Sequence, residues 1–588
     1  MKYPKLRELP TTRELVDVFK GYNHNPRIGD GEFYDMKNLS SDFFPVLATR
    51  PPRGVFATLT KPQGIISKGV LCYVDGEDFV LKRTDGETRV AMGFSLDETP
   101  KKMTSIGAYV IIMPDKKYIN VENTEDRGSI EYSIEFESGE HISEFHLCDK
   151  EGRLYFNIAT QNTAPENPND GDLWMQPRED ASKLFEYSSQ SKSWVNIIET
   201  YVKISCPNIE DMFEEGDNIQ IEGLADELSL LNTIHKVVKK EYSSIVVEGF
   251  IEKQVVSYTD YFKITKRIPN MDFIIESGNR LWGCRSGKSV TGETVNEIYA
   301  SKLGDFKIWD SFRGISTDSF TASVGSDGAF TGAVSYLGYP IFFKENCVHK
   351  ILGSYPANYQ IQTTDCRGVQ HGCDRSLAIV NEIIYYKSRS GICAYDGSFP
   401  IEISSCLGEA KYYNAVAGTL GNKYYISMSD KNGRYSLFVY DTAKGLWHKE
   451  DETQAIDFCS FGDDLFYIEY ADNQIKSVRG TGTIDTTPIK WEAVTGIIGT
   501  DSPDKKYVSR MDVRMSLSVE ARVSFYAEYD SSGEWEYLCT MSGENLNLRT
   551  FAVPIKPKRC DHFKLKILGN GEAKIFSICK TTEQGSDV

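Results

Sequence analysis

The chain has 588 residues and a formal net charge of −18, with 84 Asp and Glu against 66 Lys and Arg. That balance excludes a protein whose main work is to neutralise nucleic-acid phosphates through a broad basic face, although an acidic wall would repel a passing duplex and let it slide. A hydrophobic fraction of 40% and a charged fraction of 26% are ordinary for a folded chain of roughly three to five domains, and the 33 Tyr and 30 Phe favour strands.

The opening "MKYPKLRELPTTRELVDVFKG" has no apolar core of signal-peptide length, and no run of 18 apolar residues follows anywhere, so neither export by that route nor a membrane span is expected. Thirteen cysteines, from Cys72 to Cys579, lack regular spacing and predict reduced, buried thiols in a cytoplasmic setting. "GDGEFYDMKNLSSDFFPVLATRPPRG" (29–54) is too broken by turn formers for a helix and too sparse in apolar residues for a core of its own. We expect an arm over 1–52 that closes or crosses a larger body, anchored by Phe33, Tyr34, Phe43 and Phe44.

Two hairpin-like stretches follow in 53–125, "GVLCYVDGEDFVLKRTDG" and "GAYVIIMPDKKYINV". An inserted β-rich module is expected over 126–266. Its middle part, "PENPNDGDLWMQPREDASKLFEYSSQSKSWVNI", is rich in turns and presents Trp174 and Trp194. Its last part, "FEEGDNIQIEGLADELSLLNTIHKVVKKEYSSIVVEGFI", reads as a small β-barrel. Insertions of this kind burden a scaffold little and often carry partner contacts, which makes the two tryptophans candidate partner or glycan contacts.

Over 267–483 one pattern repeats. A Gly, Asn or Asp turn followed by an aromatic or β-branched run begins at Gly278, Gly338, Asn381, Gly421 and Gly462, and the last three steps are 43, 40 and 41 residues. That period is the size of one four-stranded propeller blade. Within each unit two alternating runs flank a polar turn, and the second often ends in an aromatic-Asp pair: Trp309-Asp310, Tyr395-Asp396, Tyr440-Asp441. After Tyr440-Asp441 a Gly turn delivers Trp447, placed to wedge between blades. The tail, 484–588, loses the period and has longer alternating runs, as expected for a β-sandwich. The fold class predicted is all-β: a β-propeller of about six or seven blades with an inserted β domain and a C-terminal β-sandwich.

No chemical motif stands out. "GCRSGKS" (283–289) has three residues between its glycines where a phosphate-binding loop needs four, and strands surround it. Asp365, Cys366, His371 and Cys373 match no closed zinc spacing. There is no G-x-S-x-G elbow and no H-E-x-x-H. Acidic pairs such as Asp463-Asp464 fit solvated turns better than a glycosidase pair. Neither catalytic residues nor metal ligands are predicted, no cofactor is expected, and the chain is expected not to be an enzyme.

The phrases "NEIYASKLGDFKIWDSF", "GYPIFFKENCVHKILG", "GVQHGCDRSLAIVNEIIYYKSRSGICAYDGSFP" and "NKYYISMSDKNGRYSLFVYDTAKGLWHKED" resemble the propeller proteins of tailed-bacteriophage virions, among them tail nozzle and hub proteins. The opening "FYDMKNLSSDFFPVLATRPPRG" is similar to their N-terminal arms, and "GDLW" is a phrase found in phage tail and fibre proteins. The resemblance covers most of 30–480. It implies a virion protein assembled in the bacterial cytoplasm as a ring, often six-fold, with adaptor and fibre proteins as partners. It also implies a channel through which genomic DNA passes without sequence-specific binding. The alternatives are a carbohydrate- or receptor-binding tail protein, a propeller glycosidase and a generic interaction propeller.

Overall fold

The computed structural model describes residues 11–584 except 83–87, 91–93, 179–181, 214, 289–293, 313, 500–504, 544–546 and 556–557. Strands dominate, and no helix among the described residues is long and apolar enough to cross a membrane. The chain divides into two compact units: residues 1–103, 326–350 and 362–588, and residues 104–325 with 351–361.

Blade-type antiparallel sheets, four-stranded and in sequence order except for the one at 455–477, account for most of the chain between 54 and 477. The first unit holds four, at 62–90, 378–402, 413–449 and 455–477, with residues 330–350 and 362–365 of a further one at 330–365. The second holds two, at 102–129 and 273–323. The expected all-β propeller architecture is therefore present.

The blade at 455–477 shows how alternation builds it. Leu465 and Tyr467 pack with Tyr425, Leu437 and Val439, whereas Phe466 and Ile468 pack with Leu59, Ile65 and Leu71. Side chains two apart share a face, so one strand serves a neighbour on each side. Its fourth strand comes from far away in the chain: Gly54–Thr58 pairs antiparallel with Gln474–Ser477, Gly54 opposite Ser477 and Thr58 opposite Gln474. This removes the free edge that a propeller's last blade would otherwise expose.

That pairing corrects the expected role of the arm. The closing strand is 54–58, just after the arm, and 11–49 is woven into the C-terminal sandwich. Thr11–Val16 and Leu47–Thr49 both pair with Ala573–Gln584, and Glu32–Lys37 pairs with Lys490–Thr495. The sandwich thus comprises two six-stranded sheets built from both ends of the chain. The arm still touches a blade: Ser41 donates to Asp441 at 2.6 Å, Lys423 meets Asp42 at 2.6 Å, and a Cβ on Gly21 (φ +81°) would lie 2.3 Å from the Trp447 carbonyl oxygen.

In the second unit the insertion folds around its own core, with Phe145, Ile204, Ile219, Val237, Val247 and Phe262 all buried. The expected small barrel at 213–251 is not self-contained. Its strands join Tyr132–Phe136, Ser143–Cys148, Tyr201–Ser205, Val255–Tyr258 and Phe262–Lys266 in one eight-stranded sheet. A separate four-stranded sheet at 159–196 carries the two tryptophans.

Candidate functional site

The sequence-predicted residues separate into buried and surface groups. Trp174 is only 7% exposed, its indole N–H donates to the Gln161 carbonyl at 2.8 Å, and Phe185 stacks on it at 4.9 Å. It is a core residue of its sheet, because it lies directly opposite Phe185 and the two large rings cover each other. Trp194 is half-buried, edge-on to Trp174 at 5.6 Å and to Tyr187 at 5.4 Å. Of the pair, only Trp194 keeps surface for a partner.

The four arm aromatics also divide. Phe33 is buried with Phe19, and Tyr34 stacks on His24 at 4.2 Å. Phe43 and Phe44 are 51% and 38% exposed, which corrects their expected role as anchors. They lie in the turn between Leu39–Ser40 and Leu47–Thr49, outside both sheets, and each faces a lysine: Lys574 over Phe43 at 3.7 Å and Lys444 over Phe44 at 5.9 Å. Trp447 is 2% exposed and donates to the Ile403 carbonyl at 2.9 Å, as a wedge between blades should.

Residues 283–288 run within the strand Arg280–Lys288, so no phosphate loop forms there; Ser289 lies outside the described residues. Cys373 is buried and His371 exposed, so the structure does not bring them to one site. Among the described residues no group of three His, Cys, Asp or Glu is placed to hold a metal ion.

What sequence reasoning missed is a polar cleft of about 570 Å³ in the first unit, beside the closing strand. Its residues come from 50–55, 451–453, 467–476 and 485–489, four segments that no local pattern connects. Arg50 and Arg53, separated by two prolines, meet Glu450 and Asp451 there. Arg53 bonds Glu450 at 2.8 Å, Asp451 at 2.9 Å and the Thr453 hydroxyl at 2.8 Å. Arg50 lies 3.8 Å from Glu450 and 3.7 Å from Asp451. Burial alone would raise the Asp451 carboxyl, but the two guanidiniums prevail and hold it below the usual carboxylate range. On the other side, Lys476 joins Glu469 and meets Asp472 at 2.6 Å. Tyr467 lies beneath Arg53, whose guanidinium carbon is 5.3 Å from the ring centre. The Tyr467 hydroxyl and the Arg53 Nε are buried with no hydrogen-bond partner.

The second unit holds a different charged cluster. Lys266, at the end of a strand of the insertion, is ion-paired with the wholly buried Asp217. The next backbone N–H, of Asn218, donates to Asp310 at 2.9 Å. Burial pushes the Asp310 carboxyl up to about 6, and Asp217 adds to that push. Asp310 is thus the acidic member of the Trp309-Asp310 pair noted in the sequence, given a proton affinity unlike that of a turn aspartate.

No family model matches the chain, and no curated protein matches it. Among solved structures it is similar to an exo-beta-1,3-galactanase from Phanerochaete chrysosporium bound to galactose, at 9% identity over 52% of this chain and 94% of that one, with a TM-score of 0.20. A glycoside hydrolase family 43 arabinoxylan arabinofuranohydrolase from Bacillus subtilis is 7% identical over 52% and 94%, with a TM-score of 0.19. A puromycin hydrolase is 12% identical over 72% of this chain and 61% of that one, with a TM-score of 0.24. This finding corrects the expectation that the chain is not an enzyme, since the solved structures it is similar to are hydrolases. At these identities and scores, no residue role is carried across.

Proposed function

We propose that this chain is a subunit of the tail or neck of a tailed-bacteriophage virion. In that role it would assemble with copies of itself as a ring around the path of the genome and bind adaptor and fibre proteins, having been made in the host cytoplasm. The observation that carries the proposal is where the resembling phrases fall. The stretches at 296–312, 338–353, 368–400 and 422–451 form blade strands and the turns between blades, so the likeness to virion propellers lies in the scaffold itself. The weave of both chain ends into one sandwich supports a part that must stay whole under load. Immunogold electron microscopy on purified virus particles, with an antibody to this chain, tests the proposal. Label at the neck or tail is expected; unlabelled particles with the protein left in the soluble fraction would overturn it.

A specific observation favours a second reading, hydrolysis of a glycosidic bond. Such chemistry needs a carboxyl still protonated near neutral pH as general acid, and Asp310 is raised in that direction. Its neighbour Asp217 is wholly buried against Lys266, so the second carboxyl of a catalytic pair would have to come from elsewhere. Hydrolysis of aryl glycosides and host polysaccharide by the full chain, lost in Asp310→Asn, would establish this reading in place of a purely architectural role.

A further inference from the structure

We infer that the cleft beside the closing strand is a binding site for a neutral, hydroxyl-rich ligand, a saccharide. The inference stands apart from the virion proposal, and three observations lead to it.

The first is size and polarity. At about 570 Å³ the cleft falls within the range of ligand sites. Unlike most such sites it is lined mainly by charged and polar groups, with Pro52, Val55 and Ile489 as its apolar surface.

The second is charge. Arg53 is bonded to Glu450 and Asp451, with Arg50 close to both, and Lys476 is bonded to Glu469 and Asp472. An incoming anion would have to displace a carboxylate already in place, and a cation entering at these pairs a guanidinium or ammonium; Glu452, paired with Lys37, and Asp485 also line the cleft and make its lining net negative. Either exchange would leave a charge unpaired in a poorly solvated place, which costs more than the new contact returns. A hydroxyl does not force that exchange, because it donates to a carboxylate and accepts from the neighbouring cation at once, and vicinal hydroxyls can span an existing pair.

The third is unmet hydrogen bonding. Arg53 Nε–H and the Tyr467 O–H are buried donors with no acceptor, in a protein whose buried polar groups are mostly satisfied. They are neighbours, one stacked over the other. Arg53 and Tyr467 line the cleft but these two atoms are themselves shut off from it, so a ligand oxygen would satisfy them on a small shift of the side chains.

The test uses the full chain with glucose, galactose, N-acetylglucosamine and their β-linked trimers as probes, by isothermal titration and saturation-transfer NMR. Saturable binding of at least one sugar is expected. It should weaken about threefold to tenfold in Tyr467→Phe, the loss of one neutral hydrogen bond, and by about tenfold or more in Lys476→Met, the loss of a charge-assisted one. Trp194→Ala should leave it unchanged, which places the binding in the cleft and not in the inserted module. Lys476→Met keeps the length of the side chain and Tyr467→Phe keeps the ring, so both variants should fold, as unchanged circular dichroism would show. No binding by any probe into the millimolar range would overturn the inference and leave ordered water as the occupant of the cleft. So would binding indifferent to Tyr467→Phe and Lys476→Met, or binding of inorganic phosphate in place of sugar.

Discussion

Two of the places where the chain buries charge use it differently. At the cleft, two arginines share two carboxylates, so each charge has more than one counterpart and some bonding capacity is left over. In the second unit, Lys266 and Asp217 form a closed pair, 6% and 0% exposed, beside Asp310, whose carboxyl burial pushes up to about 6. The difference separates a redundant network that can face a ligand from a single lock that cannot spare a member.

The largest expected effect follows from that contrast. Lys266→Met would leave the buried Asp217 without its ammonium counter-ion, a change that typically destabilises by about 3–5 kcal/mol. Arg53→Met should be milder, because Arg50 remains within 4 Å of both carboxylates. Since a chain with two units need not unfold in one step, the measurement is hydrogen exchange in peptides covering 213–222 and 450–455. Loss of protection should be larger for Lys266→Met in the first peptide than for Arg53→Met in the second. The reverse order would show that Arg50 does not share the load.

Acid should separate the clusters in sign. Asp310 has a folded pKa near 6, above its ordinary 3.8, so the folded state binds the extra proton between those values. Its contribution is complete below about 3.8 and is lost as the pH rises through about 6, on the order of 1–3 kcal/mol. Asp451 is shifted the other way: its contribution is present above 3.8 and is lost as the pH falls through its lower folded value. His349 and His448 act in the same direction as Asp451. Burial holds them down to about 4 and about 3 from 6.5, so each costs stability as acid protonates the unfolded chain below about 6.5. Exchange protection, corrected for intrinsic rates, should therefore rise around 300–312 between pH 6 and 4 while it falls around 345–352 and 446–453. Asp310→Asn should abolish the rise alone.

Much of this framework is visible in the sequence, for a physical reason. Blade strands pair with their neighbours in the chain, so the steps of 43, 40 and 41 residues, the polar turns and the Trp447 wedge all record local structure. The arm fails as a local problem: Thr11–Val16 pairs with residues more than 560 positions away, and nothing in "TTRELV" names its partner. Phe43 and Phe44 looked like anchors because they are aromatic, but position in a turn overrode type. The cleft was invisible because Arg50, Glu450, Tyr467 and Asp485 are each unremarkable in their own segments. Asp310 was noticed as part of a motif, while its raised proton affinity depends on Asp217, 93 positions earlier.

The smallest expected effect is the most pointed test of the redundant cluster. In Tyr467→Phe the ring keeps its packing against Phe458 and beneath Arg53, and only an oxygen is removed. For a hydroxyl with a good partner, that change costs about 1 kcal/mol. For a buried hydroxyl with none, it removes a desolvation penalty, so the ligand-free protein should be unchanged or more stable by up to about 1 kcal/mol. A measurable loss of stability would mean that water or a nearby group already satisfies the hydroxyl, and the cleft would then have one fewer bond to offer. A gain, together with weaker sugar binding in the same variant, would show that this hydroxyl is kept at a cost to the free protein for the sake of what the cleft holds.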